Sequence, residues 1–305
     1  MEEKSITARI CAFLRAYHSE NNNVKIFDDN IARLLLTEEE YRTISKNMSD
    51  GIKYFNPSFS GNDEEAVRWI VDNQLSATPL GRAIFTEKSL EIAVQHGTMQ
   101  YLILAAGYDT FAYRQPDWAE KLQIFEIDHP AAASDKKNHL KKSGINIADN
   151  VNFIEADFAE TKWEIPLIEN KKFKENTVSF CSMLGMTYYL SKQSFKEMVA
   201  TIGSIIPINS SIVFDYPNEN YFTAGGVNNK HAELAKAANE KMLACYSYSE
   251  MKNLLADNNF LIFEHLTASE ITEQYFSTYN KANSMHLMTA PENVNYCLAV
   301  KKGVI

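Results

Sequence analysis

Residues 98–114 read TMQYLILAAGYDTFAYR, and residues 123–130 read QIFEIDHP. In the first stretch an apolar run, Tyr101–Ala105, has the texture of a buried strand and passes directly into Ala105-Ala106-Gly107. Small residues at the carboxyl end of the first strand of an α/β sheet let a ligand lie against bare backbone. A tight strand exit with no ligand reads the same way, and a full G-x-G-x-x-G is absent: only Gly107 is present. In the second stretch the strand Gln123–Asp128 ends in a carboxylate 21 positions after Gly107. In nucleotide-binding α/β folds a carboxylate at that tip accepts hydrogen bonds from ribose hydroxyls.

A third strand closes on Glu155-Ala156-Asp157-Phe158. An aspartate there can accept from an adenine amino group while the phenylalanine covers the ring; a turn or cap aspartate is the plainer alternative. An adenosine ribose belongs to NAD and to S-adenosylmethionine (SAM) alike. NAD enzymes seat the pyrophosphate on a glycine-rich helix N-terminus, and those glycines are missing. The pattern therefore suits SAM better.

Working outward, apolar strand-like runs at Asn152–Ala156, Thr177–Ser182 and Ser211–Tyr216 alternate with helical stretches at Ala131–Ser143 and Lys192–Ile205. That alternation indicates βαβ units and a parallel sheet. Ser249–Ala256 reads as helix. Phe260–Leu266 and Asn295–Lys301 read as strands without an evident crossover helix, so a closing antiparallel pair is expected. The expected fold is α/β: a Rossmann-like, seven-stranded, mostly parallel sheet with an antiparallel last strand, a helical N-terminal cap and lid insertions. One domain is expected over residues 1–305. The cap covers 1–80, and the SAM-binding core covers 81–305 with insertions near 217–246 and 267–293.

The cap is read from helical spacing. Ile6, Ile10, Phe13, Leu14 and Tyr17 make one apolar face over Ser5–His18. Asp28 and Asp29 are placed to cap a second helix through IARLLL, and Asp63-Glu64-Glu65 opens a third. A fourth is expected from Arg82 to His96, closed by Gly97.

Composition narrows the function classes. The 305 residues are 45% hydrophobic and 23% charged, with net charge −9, which argues against a nucleic-acid partner. Cys11, Cys181, Cys245 and Cys297 lie far apart and form no C-x-x-C, so they read as reduced thiols of a cytoplasmic protein. No apolar run approaches the roughly 20 residues that span a bilayer, and no membrane partner is expected. No histidine pair has zinc-ligand spacing, so no metal is expected.

Gly81-Arg82 through Pro130 resembles the bacterial class I methyltransferases related to leucine carboxyl methyltransferase. Their pattern is an arginine-led helix, a strand and turn ending in G-A-G-x-D-T-r-x-y-R, then F-E-v-D-x-P. Gln100, Ala105, Ala106, Gly107, Asp109, Thr110, Tyr113 and Arg114 fit it, as do Phe125, Glu126, Asp128 and Pro130. The flanks Ser5-x-Thr7-Ala8, Phe27-x-Asp29-x-x-Ala32 and Asn295-Tyr296-x-Leu298-Ala299-Val300 extend it over nearly the whole chain.

The resemblance implies SAM as cofactor and S-adenosylhomocysteine as product. It implies that Arg82 pairs with the methionine carboxylate, that Ala105, Ala106 and Gly107 lie against the amino-acid part, and that Asp128 holds the ribose. Asp157 and Phe158 would hold the adenine, with His129 and Met183 completing the expected contacts. Two positions depart from the pattern. Ala105 stands where the family has its first glycine. Leu184 stands where many relatives have an acid near the SAM amino group.

The expected reaction is O-methylation of a small molecule or a carboxyl group. Alternatives are a nicotinamide-dependent oxidoreductase on a similar sheet and a non-catalytic protein keeping the fold. Tyr188, Tyr189, Tyr216 and Tyr221 follow the fourth and fifth strands and are the candidates for lining the acceptor pocket. His231, His265 and His286 lie in or near the expected cap segments. No general base is identified, and the oligomeric state is open.

Overall fold

The computed structural model describes residues 6–160, 162–223, 230, 232–233, 235–236, 240–284 and 287–303; His231 and His286 lie outside them. The N-terminal part folds into α1 (Ile6–Asn21), α2 (Glu38–Asp50) and α3 (Asp63–Ile70), with one short helical turn, Ile52–Phe55, between the last two. Capping boxes start α2 and α3. Thr37 and Glu40 exchange backbone hydrogen bonds at α2, and Asn62 and Glu65 do so at α3. The helix expected through IARLLL is only a 3-10 turn, Ala32–Leu35. Asp29 does accept from the Ala32 amide at 3.1 Å. Its carboxylate is otherwise committed to Arg15 at 2.7 Å and Thr110 at 2.8 Å. That tertiary demand outweighs helix propagation.

A long helix, α4 (Ala77–Gln95), then leads to β1 (Gln100–Leu104). It begins five residues before the expected start at Arg82, with Pro79 in its first turn, where a missing amide costs nothing. There follow β2 (Gln123–Asp128), α5 (Pro130–Lys142), β3 (Val151–Glu155), β4 (Ser179–Met183), α6 (Lys192–Ile205) and β5 (Ser211–Pro217). The chain ends through α7 (Tyr248–Asp257), β6 (Phe260–Leu266), α8 (Ser277–Ala282) and β7 (Val294–Lys301).

The strands form a seven-stranded sheet in the order β3-β2-β1-β4-β5-β7-β6. β1 to β5 pair in parallel, and β7 runs antiparallel between β5 and β6. The expected α/β sheet with its antiparallel last strand is the sheet observed. Side chains alternate across it with period two. One face carries Tyr101, Ile103, Phe180, Val213 and Tyr296 against Phe85 and Leu90 of α4. The other carries Leu102, Leu104, Phe125 and Phe214 against Phe195 and Ile202 of α6 and Met251 of α7. A third cluster, with Phe13, Leu14, Met48, Val67 and Ile70, joins the N-terminal helices and touches Tyr108 after β1. The 267–293 stretch has more helix than expected. Ile271, Phe276 and Tyr279 from its helical turns enter the core on the α4 face.

His18 ties α1 to the loop after it. Its ring is fully buried, Nε2 accepts from the Ile26 amide at 2.9 Å, and Tyr279 packs on it. Burial, with Arg68 and Lys25 nearby, lowers its pKa to about 4. The unfolded chain takes up this proton near pH 6.5 and the folded chain only near pH 4. Stability is therefore unaffected by His18 above 6.5 and falls as the pH drops from there. The loss approaches about 3 kcal/mol at pH 4. Denaturant unfolding from pH 7 to 4.5 should show this limb, and it should flatten in His18→Gln.

Candidate functional site

In a parallel sheet of this order the chain leaves β1 toward one side and β4 toward the other. Ligands bind in the crevice outside the carboxyl ends at such a switch point. A cavity of about 860 Å³ occupies that place. Its floor is Leu104–Gly107 after β1 and Ser182, Leu184 and Gly185 at the end of β4. Thr78, Arg82 and Thr86 of α4, spaced one turn apart, form one wall. Ala8, Cys11 and Arg15 of α1 form the roof.

The floor turns require unusual backbone. Gly107 has φ +44° and Gly185 φ +67°. Ala105 also lies in the left-handed region, at φ +50°, which disfavours a side chain by roughly 1–2 kcal/mol. Gly107 lies under α1, where an added Cβ would press on Ala8 at 3.3 Å. The Gly107 amide donates to Asp128 Oδ2 at 2.6 Å, and the His129 amide donates to Asp128 Oδ1 at 2.7 Å. Burial raises the Asp128 pKa, and these two amides hold the rise back. Beneath this corner Lys136 of α5 and Glu126 of β2 form a fully buried pair at 2.7 Å, and the Tyr113 hydroxyl donates to the same carboxylate at 2.8 Å.

Arg82 lies between α1 and the β4 turn. Nη2 donates to Cys11 Sγ at 3.3 Å, and Nη1 is 3.8 Å from Asp215 Oδ2. Burial opposes its charge, but Cys11, Asp215, Tyr188 and Tyr189 outweigh that and raise the pKa. The guanidinium is thus permanently charged. Asp215 is completely buried. It accepts from the Gly185 amide at 2.7 Å and the Tyr188 hydroxyl at 3.0 Å, and its own carbonyl accepts from Thr187 at 2.5 Å. Deeper in, Arg114 makes a two-pronged pair with Glu87 and reaches Asp29 at 3.5 Å, while Arg15 donates to the Tyr108 carbonyl at 2.6 Å. Tyr188, Tyr189, Tyr221, Met186, Leu190 and Met242 wall the outer part. Burial raises all three tyrosine pKa values, with Asp215 adding to the rise at Tyr188, so these phenols stay protonated near neutrality.

Of the residues singled out from sequence, Arg82, Ala105, Ala106, Gly107, Asp128, His129, Tyr188, Tyr189 and Tyr221 line this one cavity. His129 stands at the rim, its Nδ1 accepting from Ala131 as the cap of α5. Asp157 and Phe158 stand beyond the rim. Asp157 caps its own turn through Ala159 and lies 4.0 Å from His129, and Phe158 packs on Trp163. Met183 points into the opposite core.

Tyr216 does not join the other tyrosines. It follows Asp215 in an extended strand, so its side chain faces away from the cavity, where its hydroxyl pairs with His265 at 2.8 Å. The same parity places Asp215, which sequence reasoning passed over, on the cavity side with Val213. A lone carboxylate within the apolar run Ile212-Val213-Phe214-Asp215-Tyr216 was the available signal.

Residues 8–203 match the family model for leucine carboxyl methyltransferase. YktD of Bacillus subtilis, designated an S-adenosyl-L-methionine-dependent methyltransferase, is 40% identical over 98% of this chain and 99% of its own. A Mycobacterium marinum protein with the same designation is 24% identical over 77% of this chain and 72% of its own. Among solved structures, a DUF574-family protein from Streptomyces avermitilis superposes with TM-score 0.59 at 11% identity, covering 95% of this chain and 97% of that one. A Thermobifida fusca protein described as a methyltransferase gives 0.53 at 14%, covering 96% and 94%. At such identities these two establish the shared fold.

The floor turns make a paired prediction for denaturant unfolding. Ala105→Gly should gain about 1 kcal/mol by relieving the left-handed alanine. Gly185→Ala should lose 1–2 kcal/mol or more, because its Cβ would also collide with the Arg82 guanidinium.

Proposed function

This chain belongs to the leucine carboxyl methyltransferase family and is a SAM-dependent methyltransferase, and we propose that it O-methylates a small, largely apolar acceptor held in the outer part of the cavity. The observation that carries this reading is the wall of Tyr188, Tyr189, Tyr221, Met186, Leu190 and Met242 adjoining the polar β1–β4 floor. About 860 Å³ of roofed space lies within the range of small-molecule sites, which bury most of a ligand and line it with apolar groups.

The residues present fit the cofactor. The left-handed turn at Ala105–Gly107 leaves backbone open to the cavity, and Arg82 offers a charged fork suited to a carboxylate. Asp128 keeps a free lone pair on each oxygen for ribose hydroxyls. In this reading Arg82 holds the methionine carboxylate, Ala105–Gly107 flank the amino-acid part, and Asp128 with His129 borders the ribose. Asp157 and Phe158 would meet the adenine beyond the rim. When bound, SAM supplies an electrophilic methyl group on a sulfonium. The protein's part is alignment and exclusion of water, which α1 and the aromatic wall provide.

The acceptor oxygen must be anionic at transfer. Tyr188, Tyr189 and Tyr221 hold their protons too tightly to act as bases, and Glu87 is engaged by Arg114. A carboxylate, or a hydroxyl acidic enough to be ionised at neutral pH, fits this wall without help from a base.

Calorimetric titration tests the cofactor contacts. SAM and S-adenosylhomocysteine should bind the unaltered protein, and Arg82→Ala or Asp128→Ala should weaken both by about tenfold or more, as expected for lost hydrogen bonds to charged groups. Unchanged affinity in both variants would overturn the assignment. Incubation with methyl-labelled SAM and a panel of apolar carboxylic acids and acidic phenols ionised at neutral pH should transfer label to oxygen. Transfer only to a protein or an amine would overturn the acceptor reading.

A further inference from the structure

We propose that Asp215 is the positioning carboxylate of the cofactor site, orienting Arg82, the Gly185 turn and Tyr188 together from beneath the cavity floor. The proposal rests on the cofactor placement of the preceding section. Asp215 is fully buried and does not line the cavity; Gly185 and Tyr188 stand between it and the open space. It acts through what it holds and through the charge it places beneath them. Oδ1 receives the Gly185 amide at 2.7 Å, and Oδ2 receives the Tyr188 hydroxyl at 3.0 Å and lies 3.8 Å from Arg82 Nη1. A buried carboxylate without partners is costly, whereas one so matched fixes its partners' geometry.

Each partner serves a different part of the site. Arg82 is the cation for the cofactor's carboxylate. Gly185 lies in the turn after β4, in a left-handed conformation that leaves room for the guanidinium where a Cβ would stand. Tyr188 is the first residue of the aromatic wall on the acceptor side. One carboxylate therefore joins the cofactor half of the cavity to the acceptor half.

Charge balance points the same way. The amino-acid end of SAM carries a carboxylate, an ammonium and a neighbouring sulfonium. With Arg82, that region holds three positive charges and one negative. At position 184, on the cavity surface, stands leucine. Asp215 supplies a negative charge beside Arg82 without competing for its outward face.

Three ligands separate a positioning role from a merely structural one: SAM, S-adenosylhomocysteine and 5′-methylthioadenosine, which keeps adenosine and sulfur but lacks the amino-acid end. Asp215→Asn should weaken S-adenosylhomocysteine by about tenfold or more, the scale of a disturbed charged contact. SAM should weaken further, because its sulfonium feels the lost charge. The affinity for 5′-methylthioadenosine should stay within about twofold. In the Arg82→Ala background Asp215→Asn should add little to the S-adenosylhomocysteine loss, because the amino-acid end is then no longer held through Arg82.

Equal losses for all three ligands, or no loss for S-adenosylhomocysteine, would overturn the proposal. If Asp215→Asn alone does not fold, the charge-neutral pair Arg82→Met with Asp215→Asn decides. It should recover stability relative to either single change, and failure to recover overturns the coupling. If the unaltered protein bound none of the three ligands, the cofactor placement would fall first and this inference with it. Normal binding insensitive to Asp215 would remove the inference alone.

Discussion

A charged arginine inside a roofed apolar cavity must be matched by something. Much of this structure is arranged around that requirement. Arg82 projects from a long helix across the gap where β1 and β4 part. Asp215 reaches it from the next strand, Cys11 from the roof, and a glycine in left-handed conformation gives it room from below. The chain is acidic overall at −9, yet the cavity is organised around cations that are each paired. Arg114 is held by Glu87 and Asp29, and Arg15 by Asp29. The result is a site with fixed charges, the condition under which positioning and electrostatics count most in group transfer.

The same pairings attach the N-terminal helices to the sheet. Arg9 of α1 binds Asp135 of α5 at 2.8 Å, and Arg15 binds the main chain of the β1 turn. Asp29, in the loop after α1, is shared by Arg15, Thr110 and Arg114. The family's Asp109-Thr110 and Arg114 positions thus contribute here to docking the cap as well as to shaping the turn. The N-terminal helices and the sheet are coupled through charge as well as through the apolar cluster that includes Tyr108.

Most of the sheet was legible because parallel strands buried on both faces are written as continuous apolar runs. The run 98–114 and the carboxylate at Asp128 mark the ligand-binding end of the first two strands and the family. Two kinds of information were not local. The aspartates at 28 and 29 read as a helix cap because the buried ion pair of Asp29 with Arg15 cannot be seen in the intervening sequence. Tyr188, Tyr189, Tyr216 and Tyr221 read as one group because the strand that holds Tyr216 extends to Pro217. Strand parity over Ser211–Pro217 separates Asp215 from Tyr216 and sends them to opposite faces. Ala105 read as a mild departure, one extra methyl group. The backbone shows that its cost lies in φ and not in bulk.

The antiparallel course of β7 has a practical side. Its final residues pair with the beginning of β5, with Val300 opposite Ser211, so Lys301 emerges at the end of the sheet remote from the cavity. Ile6, by contrast, belongs to the roof itself. The two ends of the described chain thus stand at opposite poles of the molecule. An affinity handle or fluorophore joined after β7 leaves the reaction chamber undisturbed, whereas one joined ahead of α1 is built onto its ceiling.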